Sequence, residues 1–309
     1  MKKLTMIFLS VVLLCFTFSC KEGDVVSAEK ETKPGIIVDN AISADGVAIA
    51  YEVRGNGEPA LVFIHGWCCD RSYWESQLSH FADKHKVVAI DLAGHGESGL
   101  DRREWTIGAF GKDVAAVALR LELEKAILVG HSMGGYVILE TSRLIPDRVI
   151  GLVGVDTLND FEQKISKQQM EKWLSAYRSN FAETMKKFAP NWFFTDDSDP
   201  ALVDRIVTDM SSIPPTIGVG VLEGHFNFQN NDIIPVLKEL KASITCINSD
   251  RNPTNVLSNQ RYAPSFQTKL MPGAGHFNMI EAPSEFNRLL EETIQEFVQK
   301  AEQKKKSQE

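Results

Sequence analysis

Five short apolar runs, rich in β-branched residues and separated by helix-patterned stretches, set the narrowest limit on how this chain can fold: ALVFIHG (60–66), KVVAIDL (86–92), KAILVGH (125–131), VIGLVGVD (149–156) and ASITCIN (242–248). Runs of this length that are apolar throughout belong to strands buried on both faces of a parallel sheet. GVAIAYEVRG (46–55) alternates instead, as an antiparallel strand does, and TKLM (268–271) is a further short strand. Between the runs, Trp74, Leu78 and Phe81 fall on one helical face, and Ile107, Phe110, Val114 and Val117 on another. Strand–helix alternation over 309 residues predicts one large α/β domain with helices on both faces of its sheet. Ser284 is the expected N-cap of a last helix whose apolar stripe is Phe286, Leu289, Leu290, Ile294, Phe297 and Val298. Residues 301–309 are expected to form a polar tail.

The alternation stops between residues 157 and 241, where no buried strand is expected. Met170, Trp173, Leu174, Tyr177, Phe181, Met185 and Phe188 keep helical spacing, and NWFF (191–194) and SSIPP (211–215) interrupt it. This predicts a helical cap inserted between a first core segment, 36–156, and a second, 242–300. Such a cap would lie over the carboxyl edge of the sheet, where parallel sheets bind ligands. The stripe at 170–188 is expected to be packing. Trp192 and Phe193 are candidates for the wall of a pocket under a mobile cap.

Residues 1–19 stand apart. Lys2 and Lys3 precede an apolar run, 4–19, too short to span a bilayer and of the length of a signal h-region. Cys20 follows the small Ser19 and opens a polar tether, 20–35. The junction resembles a lipobox, which implies acylation of Cys20 and a membrane-anchored protein of the bacterial cell envelope. The alternative is a plain secretory signal cut near Ser19, giving a soluble exported protein. Of the remaining cysteines, Cys15 leaves with the signal, and Cys68, Cys69 and Cys246 form neither a disulfide framework nor a metal motif. The net charge is −8, and loss of the basic signal would make the body more acidic. With no basic stripe, nucleic acid is not an expected partner.

VGHSMGGY (129–136) sits at the end of one buried run and the start of a helical pattern. A nucleophile elbow needs that arrangement: Ser132 on a sharp strand-to-helix turn, with Gly130 and Gly134 letting the two elements close on each other. The helix dipole and the Met133 N–H would face a developing oxyanion. A serine nucleophile also needs a base and an orienting acid. His276, in the loop before the last helix, is the best base, with His225 in the insertion its rival. His65 and His131, at strand ends, are expected to shape the site. Asp250 follows the run 242–248 and is the preferred acid, while Asp156, at the end of 149–156, is the alternative.

FIHGW (63–67), DLAGHGESG (91–99), VGHSMGG (129–135), INSDRNPTN (247–255) and PGAGHFNMIEAP (272–283) together resemble the α/β-hydrolases, in order and spacing. The resemblance runs from about residue 45 to 300 and implies a mostly parallel eight-stranded sheet with a helical cap. It implies a backbone oxyanion donor at Trp67 beside Met133, and a structural rather than catalytic loop at Asp91–Ser98, which contains His95. Asn248 and Ser249 stand where the family often has Gly before the acid. The implied chemistry is hydrolysis of a small or medium carboxylic ester through a Ser132–His276–Asp250 acyl-enzyme, with no cofactor or metal. Carbon–carbon bond hydrolysis, cofactor-free perhydrolysis or ligand binding without turnover could use the same frame.

Overall fold

The computed structural model describes residues 35–307. The signal segment and Cys20 lie outside these residues, and among them no helix is long and apolar enough to cross a membrane. In chain order the elements are β1 (Ile36–Ile42), β2 (Ala48–Arg54), β3 (Ala60–Ile64), α1 (Glu75–Phe81), β4 (Val87–Ile90), α2 (Ile107–Arg120), β5 (Ala126–His131), α3 (Met133–Leu144) and β6 (Val149–Val155). The helical insertion follows: α4 (Lys167–Ser179), α5 (Phe181–Phe193), α6 (Pro200–Ser211), α7 (Pro215–Asn231) and α8 (Ile233–Glu239). The chain closes with β7 (Ser243–Ser249), α9 (Val256–Gln260), β8 (Gln267–Met271), α10 (Asn278–Glu281) and α11 (Pro283–Lys306).

The strands form one eight-stranded sheet in the order β1-β2-β4-β3-β5-β6-β7-β8. β2 pairs antiparallel with β1 and β4, and every pairing from β4 onward is parallel. The apolar runs fill both faces, as expected. Val62, Ile64, Val88 and Leu128 face one core with α2 and α3, while Leu61, Phe63, Val87 and Val129 face another with α1 and α11. Such double-sided burial is why these strands carry no polar alternation.

Three local expectations are revised. NWFF does not interrupt a helix: α5 runs through Pro190 to Phe193. The last helix starts at Pro283 with Ala282 in the cap position and no side-chain cap bond, so Ser284 is not its N-cap; proline's fixed φ suits the first turn. That helix also continues through residue 306 rather than ending in a tail. Its last turns are strong helix formers, and Lys304, Lys305 and Lys306 complement the negative end of the dipole. β1, which no sequence pattern singled out, is an edge strand whose Ile37 and Ile42 are largely exposed.

Candidate active site

The site lies at the carboxyl ends of β3, β5, β6 and β8. Ser132 follows β5 with φ 51° and ψ −117°, a conformation that costs a non-glycine residue on the order of 1–3 kcal/mol. Three hydrogen bonds fix it. Ser132 N donates to Val155 O at 2.9 Å, Gly135 N to Ser132 O at 2.9 Å, and Thr157 Oγ1 to Ser132 O at 2.8 Å. At about 1 kcal/mol each they offset the strain. The elbow is closed enough to demand its glycines. A Cβ on Gly130 would stand 2.2 Å from Gly134 O, and one on Gly134 would stand 2.6 Å from Ile64 O. This last approach brings the loop after β3, and with it Trp67, to the head of α3. Neither the Trp67 nor the Met133 backbone N–H donates to another group among the described residues. Both are free to serve a ligand oxygen.

His276 and Asp156 meet. His276 Nδ1 donates to Asp156 Oδ2 at 2.6 Å, which leaves Nε2 with its lone pair. Asp156 is 5% exposed and its other oxygen accepts Ser249 N–H at 2.8 Å. Burial would raise the Asp156 carboxyl, but the His276 hydrogen bond and charge, together with Ser249, hold it below its ordinary value. Asp250, the preferred acid on sequence, is instead exposed and accepts Gly273 N–H at 3.0 Å. The reason is the end of β6: Asp156 takes a positive φ of 45°, which turns its carboxylate across the sheet edge toward His276. Asn248, where the family often has Gly, is tied to Thr157 by two hydrogen bonds and braces the Asp156 turn.

The other histidines separate by environment. His131 Nε2 donates to His276 O at 2.9 Å and its ring lies 4.6 Å from that of His276, so it supports the base loop. His65 accepts Leu92 N–H and donates to Gly66 O. His95 is buried, with its Nδ1 3.0 Å from Ala93 O. His225 is not near the acid; it lies in the pocket wall.

That pocket is a cavity of about 260 Å³ with Ser132 and Met133 on its floor and Trp67, Trp173, Tyr177, Phe193 and Phe226 among its walls. Trp192 and Phe193 both line it, as anticipated. Two stripe residues expected only to pack, Trp173 and Tyr177, do so as well. The cap is tied down at the end of α5. His276 N donates to Phe193 O at 2.6 Å, and the Phe193 ring stacks on His276 at 5.0 Å. Arg251 donates to Phe194 O and, at 3.0 Å, to Asn191 O. Sequence reading missed Arg251, since a charged residue beside a turn carries no signal of the distant helix end it serves. A larger groove, about 650 Å³, lies among Asp45, Arg102, Lys112 and Arg143 and does not include Ser132. Among the described residues no group of three or more His, Cys, Asp or Glu side chains is arranged to hold a metal ion.

On fold alone the class is that of α/β enzymes with a strand–serine–helix elbow. Residues 61–289 match the alpha/beta hydrolase family, and the chain belongs to it. It is 28% identical over 248 residues to the dihydrolipoyllysine-residue acetyltransferase component of the acetoin cleaving system of Pseudomonas putida, covering 77% of this chain and 64% of that protein. The chain thus spans less than two thirds of that relative's length. It is 23% identical to 3-oxoadipate enol-lactonase 2 of Acinetobacter baylyi, over 84% of this chain and 97% of that protein. A thermophilic esterase from Thermogutta terrifontis shares the fold, with a TM-score of 0.73 at 24% identity, over 84% of this chain and 99% of the esterase chain.

Proposed function

We propose that this α/β-hydrolase cleaves a small or medium carboxylic ester, with Ser132 as nucleophile, His276 as base and Asp156 as orienting acid. The observation that carries the reading is the 2.6 Å His276 Nδ1–Asp156 bond beside a strained Ser132. Asp156 fixes the tautomer that presents Nε2 as acceptor. His276 removes the Ser132 proton as the hydroxyl attacks the ester carbonyl, and the Trp67 and Met133 N–H groups take up the oxyanion. The protonated imidazole passes its proton to the leaving alcohol, and water then releases the acyl group by the same steps. Ser132 Oγ makes no hydrogen bond among the described residues, so the reaction requires its contact with His276 Nε2 to form in the substrate complex. The enol-lactonase relative supports a cyclic ester as a substrate of the same chemistry.

The test is hydrolysis of p-nitrophenyl esters of increasing acyl length, with a fluorophosphonate to label the nucleophile. Turnover and labelling are expected together; absence of both would refute the reading. The 260 Å³ cavity favours short and medium chains. Replacing Trp192 by Ala removes wall and leaves the Phe193 ring stacked on His276. The preferred acyl chain should lengthen by several carbons while acetate turnover survives, as a chain-length series would show. Uniform loss across the series would mean that Trp192 holds the cap together instead, through its ring contacts with Trp173 and Phe188.

The same proposal extends to location: Cys20 is acylated and anchors the protein to a membrane of the cell envelope. The support is the basic start, the apolar run and the Ser19-Cys20 junction. One chain binds only marginally, so stable anchoring requires more than one. Intact mass of the native amino-terminal peptide should show the lipid, and Cys20→Ser should move the protein to the soluble fraction. An unmodified peptide would leave only the soluble exported form.

A further inference from the structure

His225 is the one side chain of the cavity wall that the ester-cleavage chemistry leaves unused and that carries an imidazole. It comes from α7, and its ring packs edge-on against Tyr136 at 4.7 Å. It makes no hydrogen bond among the described residues, and its Nδ1 is buried without a partner. Tyr177, on the same wall, is 1% exposed, and its hydroxyl is likewise buried and unpartnered. The rest of the wall is aromatic or aliphatic, and the Trp67 indole N–H is already committed to Gly218 O at 2.8 Å. The Nδ1 atom and the Tyr177 hydroxyl are fully covered by neighbouring atoms, so the nitrogen that reaches the cavity is Nε2, which has no protein partner and is open to one supplied by a ligand. His225 has no carboxylate beside it, which removes it as a second base. Burial lowers its pKa to about 4, so it stands neutral at physiological pH. The Nε2 of a neutral imidazole in apolar surroundings offers one hydrogen bond, as donor or acceptor according to the tautomer, and no charge, which suits a hydroxyl or an amide and not a carboxylate.

We infer that the preferred substrate carries a hydroxyl or amide on the part that enters the cavity, and that His225 hydrogen-bonds to it. This rests on the ester-hydrolase reading and narrows its substrate class. A hydroxyl suits either tautomer, since it both donates and accepts. Sites built to pair a substrate hydroxyl discriminate strongly against analogues lacking it, because the protein group is then left buried and unpaired.

The experiment compares p-nitrophenyl esters in matched pairs, butyrate to hexanoate, each with and without a hydroxyl at carbons 3 to 5. For at least one pair the hydroxyacyl ester should exceed its plain partner about tenfold or more in kcat/KM. His225→Leu should bring that ratio close to one. His225→Gln, which keeps a hydrogen-bonding group, should retain a ratio above one. Equal kcat/KM within every pair for the wild type, or an unchanged ratio in His225→Leu, would overturn the inference and leave the ester-hydrolase reading standing. No turnover of any ester, with no fluorophosphonate labelling of Ser132, would remove that reading and the inference with it.

Discussion

Ser132→Ala should lower ester turnover by about three orders of magnitude or more and abolish fluorophosphonate labelling, with the circular dichroism spectrum unchanged. The substitution removes one oxygen. That oxygen holds no structural bond among the described residues, because the three bonds that fix the turn run through the Ser132 backbone. Stability should therefore change little, and alanine can keep the backbone the neighbours impose. Any residual rate would come from the Trp67 and Met133 donors and from binding, which do not need the nucleophile. Wild-type turnover from the purified variant would show that another group attacks.

Asp156→Asn should cost at least about a hundredfold in kcat, and as much as the roughly 10⁴-fold seen for the equivalent change in a serine protease. Asp250→Asn should cost far less. The asparagine amide keeps the shape of Asp156 but can turn a donor toward Nδ1, which stabilises the wrong imidazole tautomer and offers no charge to the imidazolium. Moderate acidification cannot mimic the loss. The native carboxyl is held below its ordinary value, so it stays ionised down through the usual carboxylate range. Asp250 is exposed and contributes one bond to Gly273 N–H, so its loss loosens the start of the base loop without touching the imidazole. The reverse ranking of the two variants, both folded, would return the acid to Asp250.

The sheet was legible because burial on two faces writes itself into composition: Val62, Val88, Leu128 and Val153 could hardly lie elsewhere. The elbow was legible because the close backbone approach at Gly130 and Gly134 excludes any side chain. The acid was not. Asp156 and Asp250 both follow buried runs, and what separates them is a backbone torsion at one and a bond to a glycine amide at the other. Neither leaves a periodic trace. The missing glycine at Asn248 was a cue, and its physical meaning emerged only with its two bonds to Thr157. The place of His225 in the cavity wall was hidden for a similar reason. A histidine within an apolar helix reads the same whether it faces a core or a cavity.

The bond from His276 N to Phe193 O gives the molecule a built-in interlock. The base loop and the end of α5 share that bond, a stacked ring pair, and the grip of Arg251 from the neighbouring loop. Any displacement that carries the end of α5 off the sheet must release the imidazole from its support on that side. The other cap walls of the cavity come from α4 and α7, which share no such backbone bond with the His276 loop among the described residues. The His276 loop therefore keeps its alignment only while that corner is shut.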